Sequence, residues 1–277
     1  MNKLSRVVLN AAMLSASLVA CAGSPTGPAA SAASATSASA PVSNAKSVLI
    51  VVTNIDKYPT SDRRTGYWVA EVAQPAKVFA DAGLRFDFAS PKGGATTADP
   101  DSDPRNPKGH GGGDAVSLAF LADATMQKRL GETLKLRDVN LGAYDAIFFA
   151  GGTGAAFDFA HDADVQQAAR TLYEGGKVVA SVCHGTAALV DVKLSNGSFL
   201  VAGKNVTGFS NREEDMAGNI KGTLPLSIED ELRSRGATYS AGAPWQSNAV
   251  RDGKLITGQQ PQSARAMAEQ LVAALEK

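Results

Sequence analysis

Lys177-Val178-Val179-Ala180-Ser181-Val182-Cys183-His184-Gly185-Thr186-Ala187-Ala188-Leu189 reads as a buried strand that breaks at a sharp turn into a helix. A short apolar run of this kind, without polar alternation, suits a parallel strand covered on both faces. The residue at the turn is Cys183. A thiol there lies in the positive field of the helix N-terminus, where unpaired backbone N–H groups favour thiolate over thiol. Free cysteine, with a pKa of about 8.5, is only a few per cent ionised at neutral pH, so a modest downward shift multiplies the nucleophilic fraction. A low-pKa, oxidation-prone thiol is therefore expected at Cys183. Gly185 is expected to permit the tight turn and a close approach to substrate.

The same grammar extends in both directions from this strand. Ser47 to Thr53 opens as a buried strand. A helix follows over Val69 to Ala82, with Pro75 near its first turn and Gly83 as its stop, and Arg85 to Ala89 is the next strand. Tyr144 to Ala150 is a further strand, and Asp164 to Tyr173 a helix ended by Gly175-Gly176. Apolar strands separated by amphipathic helices specify an α/β fold, a mainly parallel sheet with helices on both faces. Ala249 to Thr257 reads as a hairpin with an Asp252-Gly253 turn, and Gln260-Pro261 starts a final helix through Leu275. Pro91 to Gly113, rich in Gly, Pro and Asp, is a long excursion near the carboxyl ends of the strands, either a lid or a surface loop.

The first 45 residues follow different rules. Lys3 and Arg6 precede the short apolar stretch Val7 to Ala16, and Leu18-Val19-Ala20-Cys21 fits a lipoprotein cleavage box. The expectation is a signal peptide over residues 1–20 and a lipidated Cys21. Ala22 after the cysteine points to the outer membrane of a Gram-negative envelope, facing the periplasm. Residues 22–45, almost all Ala, Ser, Pro, Thr and Gly, read as a flexible tether, and 46–277 as one folded domain. The chain has two cysteines; with Cys21 lipidated, Cys183 is left without a disulfide partner. Charge is balanced at 27 basic and 27 acidic residues with no basic run, which gives no support to nucleic-acid binding.

Other residues gather around the candidate thiol. Gly151 and Gly152, in Ala150-Gly151-Gly152-Thr153-Gly154 after a buried strand, could aim backbone N–H groups at a developing oxyanion, the Gly152 amide acting with that of His184. The run lacks a dinucleotide or phosphate-loop signature. His184 could accept the thiol proton or pair with the thiolate if an acid orients its other nitrogen, and Glu213, Glu214 and Asp215, which follow a short strand expected over Asn205 to Phe209, are the candidates. His110 and His161 read as surface residues. Glu71, amid apolar neighbours, is either an exposed helix residue or a buried carboxylate whose raised pKa suits proton transfer. No zinc-type spacing is present, and no metal or other cofactor is expected.

Together Thr65-Gly66, Glu71-x-x-x-Pro75, Phe86 to Pro91, Gly151-Gly152-x-Gly154-x-x-Phe157-Asp158, Val182 to Gly185, Val206 to Phe209 and Thr257-Gly258-Gln259-Gln260-Pro261-x-Ser263-Ala264 resemble the ThiJ/PfpI superfamily, related to class I glutamine amidotransferase domains. Order and spacing are most similar to its stress-protein branch, the glutathione-independent glyoxalases (glyoxalase III). The resemblance implies a flavodoxin-like three-layer sandwich, a homodimer, and conversion of a small dicarbonyl, methylglyoxal, to lactate without glutathione or metal. It also implies Cys183 as nucleophile, His184 as its partner, Glu214 as triad acid and Glu71 as acid/base. Holdase chaperone, protein deglycase and cysteine amidase or peptidase activities are the alternatives carried by the same superfamily.

Overall fold

The computed structural model describes residues 45–218 and 222–276. The leader, Cys21 and the tether through residue 44 lie outside the described residues. Five consecutive buried side chains form β1 (Ser47–Val51). It is followed by α1 (Val69–Asp81), β2 (Arg85–Ser90), α2 (Ala115–Ala122), α3 (Ala124–Gly131), β3 (Leu134–Lys135) and β4 (Ala146–Phe149). The second half contains α4 (Ala155–Asp158), α5 (Ala163–Glu174), β5 (Val178–Val182), β6 (Asn205–Val206), α6 (Asn211–Met216), α7 (Ile228–Ser234), β7 (Thr238–Tyr239), β8 (Ala249–Asp252), β9 (Leu255–Gly258) and α8 (Ala264–Leu275).

The main sheet has the order β3-β2-β1-β4-β5-β9-β8. All its pairs are parallel except β8 with β9, the C-terminal hairpin. The period of two along each strand divides the core into two layers. Val48, Ile50, Phe148, Ala180 and Val182 face α1 and α8 with Phe79 and Leu271. Leu49, Val51, Ile147, Phe149 and Val179 face the α5 side with Val165 and Leu172. Both faces of the central strands are thus dry, which is why they lack polar alternation. Each fully buried aliphatic or Phe side chain contributes about 1.5–3 kcal/mol.

Three local readings change. Pro75 stands inside α1 rather than at its first turn, where it removes the N–H that would bond the Glu71 carbonyl one turn earlier. The strand expected over Asn205 to Phe209 is only β6, paired with β7 in a separate two-stranded ribbon. The excursion from Pro91 to Gly113 is built into the fold: Thr65 Oγ1 donates to Asp99 Oδ2 at 2.9 Å, and Ser102 Oγ accepts from Val69 N at 3.1 Å. Trp68, the N-cap of α1, offers no side-chain cap, so this distant serine satisfies one of the helix's free donors.

Candidate active site

β5 ends at Val182, and the chain turns at once into the expected helix, which is of the 3-10 type over Cys183–Leu189. The turn puts Cys183 at φ +57°, a left-handed setting that non-glycine side chains rarely occupy. Gly185 permits the turn in a different way from that expected. Its α-carbon faces the preceding strand's end, where a Cβ would meet Phe149 O at 2.4 Å and Ala150 C at 2.7 Å. Its role is close packing of chain on chain, and it is not among the residues that line the cavity at the sulfur.

The elbow aims the sulfur at two groups. Cys183 Sγ lies 3.4 Å from His184 Nδ1, and His184 Nε2 lies 2.7 Å from Glu214 Oε1. Phe209 stacks on the imidazole with centroids 4.4 Å apart, holding the ring in plane. Of the three neighbouring acids, Asp215 is exposed, and Glu213 is fully buried and otherwise engaged. Glu213 closes a capping box with Ser210 at the start of α6 and also accepts from Trp245 N and Gln259 Nε2. Glu214, one position on, meets the histidine.

Glu71 arrives from the first turn of α1 and is completely buried. It lies within reach of the Cys183 thiol and the Gly151 amide, yet neither carboxyl oxygen meets a donor in full hydrogen-bond geometry. Gly151 makes the approach possible, since a Cβ there would sit 2.3 Å from Glu71 Oε2 and 2.8 Å from Cys183 Cβ. Gly152, at φ +103°, has Gly66 O and Trp68 N packed against it. The amides of Gly152 and His184 both point at the sulfur, the arrangement an oxyanion on a carbon bonded to that sulfur requires.

Proton affinities follow from burial. Desolvation pushes Glu71 up to about 8 against the weaker pull of Cys183, His184 and Gly151. Burial, and then the Glu71 carboxylate, push the Cys183 thiol up, outweighing the His184 and Gly152 amides. The expectation of a thiol lowered by the helix terminus is thereby corrected: the short 3-10 segment supplies one donor, the His184 amide, and the Gly152 turn another, but a buried carboxyl stands on the other side. Burial opposes charge on His184, but Glu214 outweighs it and raises the imidazole. The pair Cys183 and Glu71 holds its protons jointly, and loss of one leaves a single negative charge shared between them.

A cavity of about 500 Å3 opens at the sulfur, lined by Trp68, Phe209 and Trp245 and by Asp99, Asp101 and His110 among others. His110, read from sequence as a plain surface residue, is exposed but belongs to this mouth. His161 is at the surface, paired with Asp191. Among the described residues no cluster of three His, Cys, Asp or Glu side chains is placed to hold a metal ion.

The DJ-1/PfpI family model matches residues 65–274. The chain belongs to the DJ-1/PfpI family. It is 34% identical to Glyoxalase 3 of Candida albicans, covering 83% of this chain and 98% of the relative. It is 32% identical to the glutathione-independent glyoxalase HSP31 of Saccharomyces cerevisiae, over the same shares. Among solved structures, Rapid Encystment Protein 24 KDa of Francisella tularensis superposes with a TM-score of 0.76 at 37% identity, covering 83% of this chain and 99% of that one. The chain is thus an enzyme of the DJ-1/PfpI family with the flavodoxin-like α/β fold.

Within this family frame, Cys183, His184, Glu214, Glu71, Gly151 and Gly152 all converge. Sequence reasoning gave no role to Phe209, which supports the imidazole, or to Trp245, whose own φ is +59°. Nor did it identify Glu213 as the tie between α6 and the C-terminal segment. The Ser210-x-x-Glu213 spacing is itself the capping-box signature and marks Glu213 as a structural residue.

Proposed function

We propose that this chain is a glutathione-independent glyoxalase that converts methylglyoxal to lactate with Cys183 as nucleophile, formally a lyase of the D-lactate dehydratase type. The observation that carries the reading is the buried Glu71 carboxyl facing the Cys183 sulfur in a chain that parallels named glyoxalases almost end to end. A hydrolase needs a base for the nucleophile. It does not need a second, water-excluded carboxyl on the opposite side of the sulfur, whereas moving a proton between two adjacent carbons does.

In the reactive form, with the one negative charge of the pair on Glu71, the Cys183 sulfur adds to the aldehyde carbon, its proton passing through His184 to the new oxyanion, which the Gly152 and His184 amides hold. The Glu71 carboxylate removes the hydrogen of that carbon as a proton, giving an enediol, and returns it to the neighbouring carbon. One carbon is thereby oxidised to a thioester and the other reduced to an alcohol. Water then cleaves the thioester, regenerating the thiol, and no external oxidant or reductant enters. Glu214 keeps His184 oriented and charged for the protonation step.

Export and lipidation at Cys21, anchoring at the outer membrane and assembly as a homodimer belong to the same proposal, supported by the amino-terminal sequence and the family resemblance. No helix among the described residues is long and apolar enough to cross a membrane. The test of activity is direct: the purified full chain, given methylglyoxal in glutathione-free buffer, should form lactate detectable by NMR. A folded protein that forms none refutes the reading.

A further inference from the structure

We propose that the site is shaped for 2-oxoaldehydes bearing a large, uncharged, apolar substituent, an aryl ring above all, seated along Phe209 and Trp245. The inference rests on the glyoxalase reading and specifies its substrate class. A cavity of about 500 Å3 lies within the range that holds drug-sized ligands. A three-carbon oxoaldehyde bonded to the sulfur would leave most of it to water.

The walls indicate what fills the rest. Phe209 lies on the His184 ring, and Trp245 meets Phe209 edge to face at 5.8 Å, so an aromatic surface starts beside the reacting sulfur and runs outward. Met216, a polarizable and adaptable side chain left more than half exposed, stands at the same cavity. Trp245 is not there by default. It is held at a φ of +59°, with its backbone N–H bound at 3.0 Å to the buried Glu213, and strain of this kind persists where surrounding structure enforces it.

Charge at the mouth excludes the other large substrates. Among the described residues Arg63 is the one Lys or Arg lining the cavity, and it is already engaged: its guanidinium lies 3.8 Å from Asp101 and over the Tyr58 ring at 4.9 Å. Asp99 and Asp101 add acid beside it. A phosphate or carboxylate tail would meet one net negative charge, two carboxylates against the single Arg63 cation, whereas an aryl group would meet matching aromatic faces. The chemistry is unchanged by the larger group: an aryl oxoaldehyde gains one water, its aldehyde carbon becoming the carboxylate and its ketone carbon the alcohol.

Steady-state kinetics of the full chain on phenylglyoxal and methylglyoxal test this, with product identified as mandelate or lactate. The ratio of the two kcat/KM values is compared between the wild type, Trp245→Ala and Met216→Ala, so intrinsic reactivity of the aldehydes cancels. The expected result is a ratio that drops roughly tenfold or more in Trp245→Ala, mainly through KM for phenylglyoxal, and by less in Met216→Ala. Met216 is exposed enough that its variant will fold even if the tryptophan variant does not. A wild type that makes lactate but no mandelate, or a ratio unmoved by either substitution, overturns the inference and leaves the glyoxalase reading standing. If neither aldehyde is consumed, both fall.

Discussion

Cys183 and Glu71 share a dry space, and their joint protonation sets the pH dependence of the chemistry. Both are protonated at neutral pH by reason of burial, so the reactive form appears as one proton leaves. The rate on methylglyoxal should therefore rise with pH through an apparent midpoint near the value of about 8 to which burial pushes Glu71; a flat profile from neutral to alkaline pH would contradict this. Glu71→Gln should lose roughly 10²–10⁴ of turnover while folding normally, the amide being nearly isosteric with the neutral acid. The same carboxyl makes a stability prediction. Its ordinary value is 4.5 and its folded value about 8, so in between the folded state keeps a proton that the unfolded chain has released, and stability falls as pH rises through that window. Asp158, raised to about 7, acts in the same sense in wild type and variant alike. The melting temperature of Glu71→Gln should thus gain on wild type as pH rises from about 5 to about 8, by about 2–4 °C per kcal/mol for a domain of this size. Parallel melting curves would mean that Glu71 titrates as an exposed carboxylate. Glu214→Gln should lower the imidazole midpoint of His184 measured by NMR, since Glu214 is what outweighs burial there; an unchanged midpoint would remove Glu214 from the triad.

The strand-to-turn element around Cys183 depends on backbone crowding more than on any side chain. Gly185→Ala would drive a Cβ to within 2.4 Å of Phe149 O, and overpacking of this kind costs about 1–3 kcal/mol or more. Gly253→Ala, at φ +64° in the hairpin turn with nothing within 4 Å, should cost only the left-handed penalty of about 1–2 kcal/mol. Urea midpoints should rank them in that order, with activity lost only in Gly185→Ala; equal midpoints and full activity in both would show that the elbow tolerates a side chain. The central strands were legible because burial on both faces leaves continuous apolar runs such as Val48 to Val52. The elbow was legible because strand, cysteine and glycine fall within a few residues. What could not be read were agreements between distant segments: Ser102 capping α1 from 33 residues away, and Glu213 bonded to Gln259 from 46 residues away. The short 3-10 segment after Cys183 was also hidden, because small residues such as Ala187 and Ala188 satisfy either helix. The position of Glu71 stayed open at the sequence level because its apolar neighbours suit a helix facing either way.

On the scale of the whole molecule, the sheet gathers its chemistry at one end. β1, β4 and β5 run parallel, and their carboxyl ends deliver the loop to α1, the Gly151-Gly152 turn and Cys183 to one place, the usual location of sites in open α/β sheets. The amino-terminal segment adds a prediction about where this machinery works. A Cys21→Ser chain should lose membrane fractionation; one that still partitions wholly with membranes would refute lipid anchoring. The family resemblance extends over most of the chain, so the activity itself must stand or fall on the thiol. The most direct measurement is lactate formation from methylglyoxal, without glutathione, by the wild type and by Cys183→Ala under identical conditions. Lactate from the wild type and only the uncatalysed background from Cys183→Ala, its fold intact by circular dichroism, is the predicted result. Lactate formed by Cys183→Ala at the wild-type rate would contradict the account.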